Sequence, residues 1–256
     1  MFCRLFIDPP ASGAWNMAVD ETLLESAAVG GGFSLRFYRW REPTLSLGYF
    51  QQYDDRRQHN ASGNCPVVRR ATGGGVILHD REVTYSIVVP PGHHLAQKHL
   101  TLYEAMHAAL VDVLADHGVN ASLCPGESRE KNRTEPFLCF QRRSPGDVLM
   151  SDVKIAGSAQ RRSRKAVLQH GSVLLARSPA APELPGIAEA AAISLSFDQL
   201  TQAWLQKLAA TLSIEWLPGA LTDLEQRRAI DLARDKYDST EWTRHRRQKV
   251  CKEKSF

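Results

Sequence analysis

The sequence predicts an α+β fold, a mixed β-sheet with flanking helices, on three observations. Residues 15–28 and 102–117 carry apolar side chains at the three-to-four-residue spacing of amphipathic helices. Residues 33–37 and 82–89 show the apolar alternation of strands. The 256 residues are 43% apolar and 23% charged, an ordinary globular composition for a chain that can bury a full core. A disordered, collagen-like or coiled-coil chain is therefore excluded.

The sequence of residues 15–89 predicts one helix and four strands. The first helix should end at the three glycines of residues 30–32, because glycine is a common helix stop. Strands are expected over residues 33–37 and 44–50. Two further strands, over 66–70 and 82–89, flank a glycine run.

A second helix, a hairpin and a long strand follow. Gly118 should end the helix over residues 102–117, whose apolar face is Tyr103, Met106, Leu110, Val113 and Leu114. Residues 147–150 and 153–160 predict a hairpin that turns at Ser151 and Asp152. A long strand is expected over residues 165–176.

The composition changes after this strand, which predicts a core over residues 1–177 and a C-terminal region over residues 178–256. Residues 178–186 contain three prolines and are typical of a linker. Two helices should follow, because capping-box patterns begin at Ser196 and Thr222. We expect this short helical segment to pack on the same domain as the core.

The charge pattern favours an acidic partner. The chain has 32 Lys and Arg against 28 Asp and Glu, a net charge of +4. Clustered basic residues suit an anionic surface. No zinc-finger spacing or RNA-recognition motif accompanies the clusters, so no nucleic-acid partner is expected. The clusters lie at residues 69–70, 142–143, 161–162, 164–165 and 244–249.

The apolar runs and the cysteines exclude other classes. No apolar run is long enough to span a membrane, and no apolar leader follows the first residues. We therefore expect a cytoplasmic protein without a membrane partner, and nothing in the sequence requires more than a monomer. The five cysteines include no Cys-x-x-Cys pair, so no metal site is predicted and the thiols are expected to be free.

Three consecutive glycines, Gly73, Gly74 and Gly75, lie between two predicted strands. Such a run costs backbone entropy, but it lets a ligand approach bare backbone N–H groups. The spacing matches neither the Walker A loop nor the dinucleotide-binding motif. The basic pair at 69–70 and the His-Asp pair at 79–80 favour a binding site over a simple turn.

The pattern Arg-Arg-x-Thr-Gly-Gly-Gly-x-x-x-His-Asp over residues 69–80 resembles the signature of the superfamily of lipoate-protein ligase A, octanoyltransferases and biotin ligases. Five other regions are similar to that family in the same order: the first helix at 16–21, the first two strands at 35–40 and 44–51, the lysine loop at 152–161 and the C-terminal signature at 236–242. The resemblance covers roughly residues 4–245, so chance is a poor explanation.

This resemblance implies a biotin/lipoate protein ligase-like catalytic domain with an acyl tunnel in the core. It implies that Thr72 and the three glycines at 73–75 shape one wall of the tunnel. It also gives His79 two interpretations, an anchor for the loop or a proton relay. The remaining substrate-binding residues that it implies are Arg70, Gly157 and Ser158.

Two residues are predicted to be catalytic, Cys139 and Lys154. In the family the matching lysine contacts an acyl-adenylate in ligases and a thioester carbonyl in transferases, and an ammonium there can stabilise an oxyanion. Cys139 lies fifteen residues before Lys154 and is followed by Phe140, which resembles the acyl-enzyme cysteine of the ligase-like octanoyltransferases. Nearby cations favour a reactive thiolate. The alternative is a buried core cysteine, and the other four cysteines match no motif and are expected to be structural.

The resemblance therefore implies an octanoyltransferase of lipoate biosynthesis without a cofactor. It would move an octanoyl group from acyl carrier protein to a lysine of a lipoyl-domain protein, such as the glycine cleavage H protein or a 2-oxoacid dehydrogenase E2. The triple glycine is closer to the ligases, so an ATP-dependent lipoate ligase that uses ATP and Mg stays an alternative. An octanoyl amidotransferase between lipoyl proteins is another. A non-catalytic acyl or carrier-protein binding module is disfavoured by the presence of both Cys139 and Lys154.

Overall fold

The computed structural model describes residues 1–97, 100–125 and 136–247. Its helices are α1 (Gly13–Ala28), α2 (His94–Gln97), α3 (Thr101–Asp116), α4 (Ile187–Ala191), α5 (Phe197–Leu212), α6 (Asp223–Leu232) and α7 (Thr240–His245). Its strands are β1 (Phe2–Ile7), β2 (Ser34–Tyr38), β3 (Thr44–Leu47), β4 (Val67–Arg69), β5 (Ile77–His79), β6 (Glu82–Val89), β7 (Ser122–Leu123), β8 (Val148–Met150), β9 (Val153–Ser163), β10 (Ala166–Leu174) and β11 (Glu215–Pro218). Cys251 and the end of the predicted basic cluster at 244–249 lie outside the described residues.

Local sequence signals explain where several elements begin and end. The Ser12 side chain caps α1, so the helix starts slightly before its apolar pattern, and Gly30 follows its end at a φ of +106°. The predicted hairpin is confirmed as β8 and β9, with Ser151 at a φ of +50° in the turn. Both predicted capping boxes are present, at Ser196 and Thr222. None of the described helices is long and apolar enough to cross a membrane.

The strand predicted over residues 44–50 is wrong in its last three residues, because β3 ends at Leu47. Gly48 then packs so closely on the carbonyl group of Gly74 that a Cβ atom on Gly48 would overlap it. The chain turns away at this contact. Four of the described strands were not predicted: β1, β5, β7 and β11. β5 and β7 have only three and two residues, β11 is largely exposed, and the sequence of β1 has no regular apolar alternation.

The described strands form two sheets. The larger sheet has the order β11-β1-β2-β6-β10-β9-β8-β7, with β1 parallel to both β11 and β2 and the remaining pairs antiparallel. The smaller sheet has the order β4-β3-β5, with β3 parallel to β4 and antiparallel to β5. The glycine run joins β4 to β5, so it lies at the end of this small sheet.

Helices cover both faces of the larger sheet. On one face, α3 and α5 pack against residues of β2 and β6, among them Phe37 and Tyr85. Trp204 of α5 is fully buried there, lies 4.9 Å from the Tyr85 ring between centroids, and donates a hydrogen bond to the Met106 carbonyl at 3.2 Å. On the other face, α1 packs with residues of β6, β10 and α6. The predicted α+β fold with a mixed sheet and flanking helices is confirmed.

The region after residue 177 is packed on the rest of the chain. Ala181 and Leu184, inside the predicted linker, are buried against Leu45 and Leu47 of the small sheet. Because these residues are buried, segment 178–186 is part of the core rather than an exposed spacer. The capped helices α5 and α6 follow, and they pack on opposite faces of the larger sheet.

Replacement of Trp204 by alanine should lower the free energy of unfolding by about 3–5 kcal/mol, because a fully buried indole is removed and a cavity is left. Urea denaturation followed by circular dichroism measures this loss. Leu224→Ala is the control, since that side chain is 72% exposed and its loss should change the stability by less than about 0.5 kcal/mol. A Trp204→Ala protein as stable as the Leu224→Ala protein would contradict this assignment of the core.

Candidate active site

Arg70 fixes the shape of the glycine loop. Its buried guanidinium group donates to the carbonyl oxygens of Ser46 at 2.7 Å, Gly73 at 2.8 Å and Gly75 at 2.7 Å. Burial lowers the pKa of Arg70 to about 10, partly offset by the electrostatic effect of nearby Cys139, so the Arg70 guanidinium stays charged at neutral pH. Arg70 was predicted to bind substrate, and in this structure its hydrogen bonds hold the loop.

The neighbouring arginine, Arg69, ties the loop to the C-terminal helix. Its guanidinium donates to the carbonyl oxygens of Gly48 at 2.9 Å, Gln51 at 2.7 Å and Thr243 at 2.9 Å. The Trp242 indole N–H returns a hydrogen bond to the Arg69 carbonyl at 2.8 Å. The basic pair at the start of the motif is therefore buried and structural.

Thr72 is anchored by a buried relay of side chains. Its hydroxyl group lies 2.6 Å from Nε2 of His170, and Nδ1 of His170 lies 3.0 Å from Asp20 in α1. All three side chains are buried. This relay joins the glycine loop to the large sheet and to the first helix.

The three glycines bring the loop against the predicted nucleophile. Gly74 has a φ of +90°, which favours glycine. A Cβ atom on Gly75 would lie 3.3 Å from Cα of Cys139 and 3.2 Å from the Arg142 guanidinium. Gly73 packs beside the ring of Phe50, which is 74% exposed. The loop and Cys139 can approach this closely because the loop lacks side chains.

Cys139 and Lys154 meet beside this loop. Cys139 begins a short 3-10 turn, Cys139–Gln141, and its backbone N–H donates to the Val76 carbonyl at 2.7 Å. Its thiol is half-buried and free. The Lys154 Nζ atom lies 4.0 Å from the Cys139 Sγ atom. The structure thus brings together the two residues that were predicted to be catalytic.

A buried carboxylate, Asp147, holds Lys154. Its Oδ2 atom lies 2.7 Å from the Lys154 Nζ atom, and its Oδ1 atom accepts a hydrogen bond from the Tyr103 hydroxyl at 2.7 Å. The Ser144 backbone N–H also donates to Oδ2 at 2.7 Å. Burial and the charge of Asp147 raise the pKa of Tyr103, which keeps its hydroxyl group a donor. A Cβ atom on Gly157 would lie 2.6 Å from Cε of Lys154, so glycine makes room for the lysine.

Ser158, a predicted substrate-binding residue, uses its hydroxyl group in a network behind this pair. The hydroxyl lies 2.7 Å from the Tyr85 hydroxyl and 2.5 Å from Nε2 of His107. Nδ1 of His107 donates to the Gly146 carbonyl at 2.6 Å. Burial lowers the pKa of His107 to about 4, against the opposing hydrogen bond to Gly146. The ring is therefore neutral, and Nε2 accepts a hydrogen bond from the Ser158 hydroxyl group.

His79 is placed as an anchor. Its ring stacks on Trp40 with centroids 3.9 Å apart, and its Nδ1 atom lies 2.6 Å from Glu82. Among the described residues its hydrogen-bonding partners do not include Cys139 or Lys154. A cavity of about 20 Å³ lies between His79, His170 and Arg70, which is room for about one water molecule.

Sequence reasoning missed Asp147, Tyr103 and His107. Asp147 precedes the apolar strand β8, and an acidic residue at the edge of a buried strand is a signal that could have identified it. Tyr103 and His107 were hidden inside an apolar helix face. Among the residues that the structure describes, no group of three His, Cys, Asp or Glu side chains is arranged to hold a metal ion.

Comparison with solved structures gives the fold first. Lipoate-protein ligase A bound with ATP matches with a TM-score of 0.77 at 24% identity, covering 95% of this chain and 98% of that one. A bi-partite lipoate protein ligase from Thermoplasma acidophilum matches with a TM-score of 0.76 at 22% identity, covering 98% and 99%. At this identity the matches establish the fold, which is that of the lipoate protein ligases.

Sequence comparison then gives the family. Residues 12–181 match the lipoyl protein ligase A/B catalytic domain, and the chain belongs to that family. Relatives named Octanoyltransferase LipM are 32% identical in Brevibacillus brevis, over 95% of this chain and 99% of the relative, and 34% identical in Kyrpidia tusciae, over 93% and 97%. The predicted resemblance and the prediction of a transferase enzyme are confirmed.

The low pKa of His107 gives a pH prediction. Because this pKa is below the ordinary value of 6.5, the unfolded chain binds a proton here that the folded chain does not. The stability that the neutral ring provides is complete above about pH 6.5 and is lost as the pH falls toward about 4. Ring NMR shifts should show His107 neutral down to about pH 4, with His107→Gln used for assignment. Protonation of the folded protein's ring near about pH 6.5 would contradict the network.

Proposed function

We propose that this protein transfers an octanoyl group from acyl carrier protein to a lysine of a lipoyl-domain protein, through an octanoyl thioester on Cys139. The observation that carries the proposal is the 4.0 Å distance between the Cys139 Sγ and Lys154 Nζ atoms, beside a loop that lacks side chains. The relatives named Octanoyltransferase LipM support the choice of acyl group.

In the first half-reaction, the Cys139 thiolate attacks the thioester carbonyl of the octanoyl carrier. A new carbon–sulfur bond forms, the bond to the carrier's sulfur breaks, and the carrier leaves as a thiol after it takes a proton. A neighbouring cation stabilises both the attacking thiolate and the leaving thiolate. Lys154 supplies that charge within 4.0 Å of the nucleophile.

In the second half-reaction, the neutral ε-amine of the acceptor lysine attacks the octanoyl-cysteine. An amide bond forms, the bond to Cys139 breaks, and the proton that the amine loses restores the Cys139 thiol. Both half-reactions pass through a tetrahedral oxyanion. The Lys154 ammonium has three donors and gives one to Asp147, so it can also donate to this oxygen.

The octanoyl chain needs space that the resting site provides only in part. The cavity between His79, His170 and Arg70 has room for about one water molecule, so an eight-carbon chain does not fit in it as it stands. We therefore propose that the side chains that line it move apart when the acyl chain enters. The buried hydrogen bonds of Arg70 to the loop would keep the loop itself in place.

No nucleotide is needed in this scheme, because a thioester is already activated toward an amine. The lipoate ligase alternative begins from a free acid and requires ATP with Mg. The two functions are therefore separated by the ATP requirement of amide formation.

Cys139→Ala should lower octanoyl transfer by about 10³-fold or more, because the acyl intermediate cannot form. Intact mass spectrometry after incubation with octanoyl-acyl carrier protein, without ATP, should show a hydroxylamine-labile octanoyl adduct on the wild type. Cys124→Ala is the matched control and should keep both the adduct and the rate, because Cys124 is another half-buried free thiol. Undiminished transfer by Cys139→Ala would overturn the mechanism, and amide formation only with ATP and free lipoate would indicate the ligase.

Transfer from the carrier should slow as salt rises. Arg142 and Arg143 follow Cys139 closely. The Arg143 side chain pairs with Asp152 but is 46% exposed, so an acidic carrier can compete with Asp152 for this arginine near the nucleophile. We expect the rate at low donor concentration to fall by about tenfold between about 0.05 M and about 0.5 M NaCl. Octanoyl-pantetheine, which lacks the acidic carrier, is the control and should react at a rate nearly independent of salt. A transfer rate that is equally independent of salt with the carrier would contradict electrostatic steering.

A further inference from the structure

The short distance between Cys139 and Lys154 makes an unwanted side reaction possible within the site. The Lys154 Nζ atom lies 4.0 Å from the Cys139 Sγ atom, and the carbonyl carbon of an octanoyl-cysteine is one bond from that sulfur. A neutral lysine amine at this position is within reach of the thioester carbonyl. It would compete with the acceptor lysine, which needs the same amine chemistry.

The competing reaction needs no reactant other than the octanoyl-cysteine and the Lys154 amine. The Lys154 nitrogen attacks the carbonyl carbon, a carbon–nitrogen bond forms, and the carbon–sulfur bond to Cys139 breaks. The sulfur keeps the electron pair and takes the proton that the nitrogen loses. The product is an amide on Lys154 and a free Cys139 thiol, and the enzyme has lost its catalytic cation.

Asp147 is arranged to oppose this reaction. Its carboxylate lies 2.7 Å from Nζ, and both side chains are nearly inaccessible, at 2% and 5% exposure. An opposite charge at this distance favours the ammonium form, which has no lone pair with which to attack. The other groups that face Lys154 are Cys139, the Phe140 ring at 5.4 Å from Nζ, and the buried His107.

The carboxylate is itself held in position. Tyr103 donates to its Oδ1 atom and the Ser144 backbone N–H donates to Oδ2, each at 2.7 Å. These bonds orient Asp147 toward the lysine. Asp152 in the same hairpin differs, because its side chain is 87% exposed and pairs with Arg143 instead.

We infer that Asp147 is a positioning residue that keeps Lys154 protonated until the acceptor reacts with the octanoyl-cysteine. Asp147 thereby prevents the enzyme from acylating its own lysine. This inference rests on the proposed acyl-cysteine function. It extends that function by distinguishing the acceptor lysine from Lys154, the two lysines that come close to the intermediate. The acceptor lysine arrives from a partner protein and can react as a neutral amine, whereas Lys154 is kept as a cation.

The test is incubation with octanoyl-acyl carrier protein without any acceptor, followed by hydroxylamine and peptide mass spectrometry. Hydroxylamine removes thioesters and leaves amides. With Asp147→Asn we expect a hydroxylamine-resistant octanoyl group on Lys154 to accumulate at least about tenfold faster than in the wild type, because the buried Lys154 side chain then lacks the carboxylate that lies 2.7 Å from its Nζ atom. Asp152→Asn, which removes the same charge from the same hairpin, should match the wild type.

Two further variants complete the test. Cys139→Ala combined with Asp147→Asn should give no amide on Lys154, because the acyl group must pass through Cys139. Tyr103→Phe releases one hydrogen bond to the carboxylate and should raise the amide above the wild-type level, which tests the inference if Asp147→Asn does not fold.

The possible failures are distinguishable. A labile adduct on Cys139 in every Cys139-containing protein, with no amide on Lys154 in Asp147→Asn or Tyr103→Phe, would overturn the role of Asp147 and leave the proposed function intact. Absence of the labile adduct from the wild type would overturn the proposed function, and the inference with it. An amide on Lys154 that persists when Cys139 is alanine would also overturn it.

Discussion

The buried carboxylate of Asp20 organises the fold around the site. It is 1% exposed in the middle of α1, and a charge so placed is stable only when its hydrogen-bonding capacity is filled. Burial alone would raise the pKa of Asp20, but the hydrogen bond from His170 and the charge of Arg36 hold it below its usual value. Four side chains from three strands donate to it: Arg36 at 2.9 Å, Tyr38 at 2.9 Å, Ser86 at 2.7 Å and His170 at 3.0 Å. Through His170 the same carboxylate reaches Thr72, so the first helix, the large sheet and the glycine loop share one polar centre.

The sequence predicted those parts of the fold that depend on periodicity and local chemistry. Helices α1 and α3, strand β6 and the hairpin of β8 and β9 follow from apolar spacing, and two capping boxes located α5 and α6. It could not predict that α1 buries its polar face as well, because Asn16, Asp20 and Glu21 are compensated by partners distant in sequence. The shortened β3 has a similar cause, since its end is set by contact of Gly48 with Gly74.

Within the candidate site, the sequence predicted two residues that lie together but not the residues that hold them. Cys139 and Lys154 were expected and lie together. Arg70, Ser158 and His79 were expected near the substrate, but their polar groups are occupied by loop carbonyls, by His107 and by Glu82. A motif match gives residue types and their spacing, and it does not distinguish a side chain that bonds within the protein from one that binds a substrate. The partners Asp147 and Tyr103 stand outside any motif, so only the geometry connects them to Lys154.

The hydrogen bonds between Arg69 and the C-terminal helix α7 show that the structure around the glycine loop depends on residues beyond the matched catalytic domain. The family match ends at residue 181, yet Arg69 donates to the Thr243 carbonyl and accepts from the Trp242 indole through its own carbonyl. Lys236 extends the same tie by pairing with Glu21 at 2.7 Å. A chain truncated after the matched residues would keep the glycine run, Cys139 and Lys154 but lose these supports at the base of the glycine loop. An insertion, fusion or circular permutation at the C-terminal end would therefore alter the support of the glycine loop, although that end contributes none of the residues predicted to be catalytic.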